Sequence, residues 1–161
     1  MHDALITYFD GEKHAGLCIA GLGAIGLAAA AVFYQPRWDL RAFAITLGAL
    51  ALIEVAIGVG LYVKTGPQLG GLLVQLGADA PHLHAAETAR MLKVQRNFVI
   101  LEYAWIVLIT ASAIAAVAAR HRFRVTGIAL GLLVNFAVIL AFDVVAERRG
   151  ARYLDALQHG E

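Results

Sequence analysis

Four long, predominantly apolar runs, at residues 15–34, 42–63, 98–119 and 125–146, constrain this chain more than any other feature. At 1.5 Å per residue, about 20 residues suffice to cross the roughly 30 Å hydrocarbon layer as an α-helix. Barrel strands are excluded, because they need short segments of alternating polarity. With 60% hydrophobic residues and a mean hydropathy of +0.71, the chain lies well above the roughly 45–50% apolar content of soluble domains. The expected fold class is an all-α integral membrane protein, an antiparallel four-transmembrane-helix bundle forming one domain over residues 1–161. Its first partner is the lipid bilayer. The segment before the first run carries Asp3, Asp10, Glu12 and Lys13, too acidic for a signal-peptide leader, so the run reads as a retained span.

An even number of spans puts both termini on one side, here called side A. Side B is left with two tight turns, residues 35–41 and 120–124. Side A receives the N-terminal segment, the 64–97 connection and the C-terminal segment from Glu147. Asp79-Ala80-Pro81 predicts a helix start, and no Gly or Pro follows between residues 85 and 119. The third helix should therefore begin about 20 Å outside the membrane and run straight in. The fourth should continue through residues 147–158, and the two extensions are expected to pack as a short stalk. Residues 69–76, flanked by Gly66-Pro67 and Gly77, predict an interfacial or re-entrant piece, and Leu5, Ile6, Tyr8 and Phe9 suggest a short interfacial helix at the N-terminus. Eight of the 13 Lys and Arg residues lie on side A, which favours cytoplasmic termini in a bacterial inner membrane. Tyr62, Tyr103 and Trp105, and Trp38 beside Arg37, are expected as interfacial aromatics.

Helices associate in lipid by close approach of small residues. Gly16, Ala20, Ala24 and Ala28 recur every four residues, Gly23, Leu27 and Ala31 do so less regularly, and the fourth span has Gly127 and Gly131. These are packing faces within the bundle or between protomers, so a homo-oligomer or a place in a larger membrane complex is compatible with them. Cys18 reads as a packing residue. A net charge of +1 points to no nucleic-acid partner.

The chemistry lies in acidic residues within the spans. A carboxylate at a helix centre costs about 2.5–3.5 kcal/mol on insertion scales and calls for a partner or a cavity. Glu54 is about 13 Å deep from side A, Glu102 about 7 Å and Asp143 about 5 Å. Asp143 and Glu147 share a helix face at i,i+4. Asn135 borders that face, and Gln95 and Glu102, seven apart, nearly align on the third helix. Facing one another, these groups predict an acidic pocket open to side A, with Glu12 and His14 closing it from the first helix. Oxygen clusters suit hard ions or protons, so a metal cation is the expected cofactor class. A di-iron arrangement fits poorly, because it requires Glu-x-x-His motifs and no span contains His. The same absence removes bis-histidine haem ligation. The competing structural reading pairs Glu102 with Arg96 and Asp143 with Arg148 as interhelical ion pairs. Glu54, with no basic residue in its span, needs protonation or a ligand. A second, weaker metal constellation is His82, His84 and Glu87.

The stretch from Gln95-Arg96-Asn97 to Glu102 resembles the polar helix start of four-span eicosanoid and glutathione enzymes, which are of similar size. It differs in the spacing of the Glu and precedes the third span where theirs precedes the second, so no residue is carried over. Three functions follow as expectations: a protein that binds or conducts a cation or proton, an accessory or assembly subunit of a larger membrane complex, and an enzyme at the lipid interface. The last has least behind it, because no nucleophile–His pairing or phosphate loop is present.

Overall fold

The computed structural model describes residues 1–35 and 40–159, and these form four long helices with no strand among them. They are α1 (His2–Phe33), α2 (Arg41–Ala78), α3 (Ala80–Ala118) and α4 (Phe123–His159). All four are long and apolar enough to cross a membrane. Arg37 and Trp38, the expected anchors of the first side B turn, lie outside the described residues.

Side A is built differently from the expectation of short interfacial pieces. The apolar residues 69–76 are the last turns of α2, and the N-terminal segment is the start of α1. Pro67 lies inside α2, at a cost of about 3 kcal/mol for a helix interior. Tertiary packing overrides that cost, because Leu69, Leu72 and Leu76 pack against a core of Leu5, Tyr8, Phe9, Met91, Tyr153 and Leu157. Burying side chains of this size removes roughly 1.5–3 kcal/mol of unfavourable hydration each. The stalk therefore contains all four helices, and α2 reverses into α3 at a single residue, Asp79. Its carboxylate accepts a hydrogen bond from the His82 backbone N–H at 3.1 Å, a helix N-cap with proline in the first turn.

The bulkiest buried side chains all belong to the stalk at the end of the termini, apart from Thr65 at its base. In the spans, small residues make the contacts, because lipid tails offer no hydrophobic penalty to escape. A Cβ added at Gly58 would come within 2.5 Å of the Gly16 carbonyl oxygen, and one at Gly23 within 2.7 Å of the Ala51 oxygen. The buried positions of α2, Ala44, Leu47, Ala51, Glu54, Gly58 and Thr65, advance by steps of three and four and a final step of seven, the pattern of a left-handed helix crossing. On α1, beyond the stalk residues Leu5, Tyr8 and Phe9, the buried positions are Gly16, Gly23 and Ala30, seven apart. Ala24 and Ala28 are exposed, so the four-residue stripe is not the seam within the bundle.

The pairs α1–α2 and α3–α4 meet most extensively, α2 and α4 join them, and α1 and α3 are diagonal. Near side B, α4 closes on α2 where Gly127 and Gly131 pack against Phe43 and Thr46. On side A, α4 closes on α1 where Tyr8 stacks on Tyr153, with centroids 4.6 Å apart, and Arg149 donates to the Gly11 carbonyl. Held together at both ends, the two pairs diverge between them.

Candidate functional site

That divergence leaves a cleft of about 330 Å³ in the spanning region. Its walls are aliphatic and aromatic side chains from all four helices, among them Leu22, Ile53, Ile57, Leu101, Phe136 and Phe142. Two carboxylates, Glu54 and Asp143, share it, and neither Lys, Arg nor His lines it. Glu54 reaches this place because it occupies a seam position of α2. Only 8% of the residue is exposed, and its Oε1 is buried with no hydrogen-bond partner among the described residues. Such an orphaned acceptor is costly in a low-dielectric interior.

Asp143 has one partner. Its Oδ2 accepts the indole N–H of Trp105 at 2.5 Å, and the indole stacks on Phe136 at 5.7 Å between centroids. Trp105 is thus a wall of the site and not the interfacial aromatic expected from its position near a span end. Along α3, Phe98, Glu102, Trp105, Ile109 and Ser112 are each less exposed than their neighbours. This is the same three-and-four spacing, and it would have placed Trp105 on the inward face.

The remaining carboxylates do not join the pair. Glu102 is on that α3 face with its Oε1 buried and unpartnered, but it is not a wall of the cleft. Glu147 engages through its backbone, its carbonyl accepting from Gln95 Nε2 at 3.1 Å. Asn135 is 3% exposed with Oδ1 unpartnered; it is on α4 just to the side B side of the cleft residues. Glu12 accepts the Tyr8 hydroxyl at 2.7 Å, and His14 contacts the Asp10 carbonyl oxygen at 2.8 Å, so neither closes the cleft. Neither structural ion pair forms: Arg96 and Arg148 are exposed, and among the described residues no bridge joins them to Glu102 or Asp143.

His82, His84 and Glu87 also separate. His82 is exposed, His84 Nε2 donates to the Leu157 carbonyl at 2.6 Å, and Glu87 is held by Arg90 in two bonds of 2.6 and 2.8 Å. Tyr153 donates a further bond to Glu87 at 3.3 Å. Glu87 therefore completes the stalk. Among the described residues no three His, Cys, Asp or Glu side chains gather in a way that would hold a metal ion. Comparison with protein-family profiles, with curated proteins and with solved structures finds no match.

Proposed function

We propose that this protein binds a proton or a cation inside the membrane, at the Glu54–Asp143 pair. One observation supports the reading above the others: Glu54, buried and with its Oε1 unpartnered among the described residues, is a lining residue of a cleft whose described lining holds a second carboxylate and no basic residue. A carboxylate in that position is stable only when protonated or neutralised by a ligand. The pair exchanges its proton or cation with the medium, and Glu102 and Asn135 flank it without belonging to it. A hard divalent ion, which takes six or more oxygens, is poorly served by two carboxylates, so a proton or a monovalent cation is the favoured occupant. The purely structural reading of Glu102 and Asp143 is not favoured, because neither interhelical ion pair is present among the described residues. We take the termini to be cytoplasmic on the Lys and Arg count, and a bacterial inner membrane as the setting, because such membranes carry helical bundles.

The test is infrared difference spectroscopy on the protein in vesicles, stepped between acidic and alkaline pH. A protonated-carboxyl band that responds to pH or to added monovalent cations, and disappears in Glu54→Gln, is the expected result. An identical difference spectrum for wild type and Glu54→Gln would remove Glu54 from any such role.

A further inference from the structure

The shape of the cleft says how its occupant arrives. Ile53 and Ile57 are 54% and 56% exposed, and Leu22 and Leu101 are each 41% exposed, yet all four are walls of the cleft. At this depth the exposed side of such residues meets acyl chains, so the cleft opens sideways into the bilayer. Apart from the two carboxylates and the Trp105 indole N–H, its lining side chains are hydrocarbon. A hydrated inorganic ion therefore finds no polar lining there to replace its water. An ammonium group on an apolar body finds both halves of what it needs.

From this geometry we infer that the occupant is an amphiphilic amine, entering laterally from the lipid phase, with its ammonium between Glu54 and Asp143 and its apolar body against Leu22, Ile53, Ile57, Leu101 and Phe136. This rests on the proposed function, since it assigns the same two carboxylates their cation. Charge complementarity singles out the occupant. The wall residues are uncharged on α1 (Ile19, Leu22) and on α3 (Leu101, Trp105), and the charge-bearing wall residue on α4 is Asp143. Among the described residues no side-chain cation lines the place. An ammonium carries three donors, and the lining offers it two carboxylates, Glu54 and Asp143, of which Asp143 already accepts from Trp105 through one oxygen. A cleft of about 330 Å³ is at the lower end of the range of small-molecule sites, roughly 300–1,000 Å³.

The chain has two tryptophans, so Trp38→Phe leaves Trp105, a wall of the cleft, as the sole indole reporter. In phosphatidylcholine vesicles, dodecylamine should change Trp105 emission saturably. Glu54→Gln should weaken the response at least tenfold, Glu54→Asp should retain most of it, and Ile57→Phe, which narrows the cleft without touching a carboxylate, should weaken it severalfold. Dodecanol, with the same chain and no charge, should give no saturable change. An equal response to dodecanol, or one unaltered by both Glu54→Gln and Ile57→Phe, overturns the inference. If dodecylamine is silent while the pH-dependent carboxyl band of Glu54 is present, the amine assignment fails and the carboxylate site stands. Silence in both overturns the two together.

Discussion

The indole N–H of Trp105 on α3 reaches the Oδ2 of Asp143 on α4 across 2.5 Å, tying together the two helices that form one wall of the intramembrane cleft. Hydrogen bonds to charged groups contribute about 1.5–3 kcal/mol, and an acceptor left unsatisfied in the interior costs a similar amount. Trp105→Phe keeps an aromatic ring against Phe136 and removes only the donor. It is expected to destabilise the protein by about 1–3 kcal/mol in detergent unfolding, and less when Asp143→Ala, which removes the acceptor, is already present. Additivity of the two substitutions, measured as a double-mutant cycle, would show that the bond contributes nothing.

The α1–α2 seam makes a sharper prediction, because two neighbouring glycines of α2 have opposite surroundings. Added carbon at Gly58 meets Gly16 and Ala20 backbone atoms at 2.5 Å, whereas at Gly60 nothing lies within 4 Å. Gly58→Ala must push the helices apart and should cost about 1–3 kcal/mol, as overpacking does. Gly60→Ala should be neutral or slightly stabilising, since alanine is the better helix former. Equal thermal stability of the two variants would contradict the seam as described.

In the stalk, pH acts through two stacked tyrosines. Burial, reinforced by the Glu12 carboxylate, pushes the Tyr8 hydroxyl up from its ordinary value, and burial with Glu87 does the same for Tyr153. The folded state thus favours the neutral phenols. Their stabilising contribution is complete below the unfolded value of about 10, and it falls as pH rises above that value, where the unfolded chain ionises first and the folded one does not. Alkaline titration should therefore open the stalk to protease before the spans lose helicity by circular dichroism. Tyr8→Phe with Tyr153→Phe should make the onset less steep. A protease-sensitivity profile that is flat from neutral to strongly alkaline pH would contradict this.

The membrane part of the fold was legible from the sequence because the bilayer's demand is one-dimensional. A run of about twenty mostly apolar residues must form a helix that satisfies its own backbone and crosses, and an even number of such runs puts both termini on one side. The Asp79-Ala80-Pro81 helix start was equally local, a cap that needs no partner. Pro67 misled for the complementary reason. As a local signal it ends a helix, and only the leucines of the following turns, docked on Phe9, Met91 and Tyr153, carry α2 through it.

Which acidic residues share a site was beyond the sequence. Depth follows from residue number, but facing depends on how each helix is rotated and crossed against its partners, and those follow from contacts between residues far apart in the chain. Gly16 against Gly58 brings Glu54 into the seam, and Gly127 with Gly131 against Phe43 and Thr46 sets α4 so that Asp143 looks into the same cleft. The same packing turns Glu147 to a backbone contact with Gln95 and draws Trp105 inward. The sequence by itself determined that carboxylates are buried in this membrane; the tertiary structure decided that Glu54 and Asp143 share one apolar cleft, because helix packing alone sets what a side chain faces.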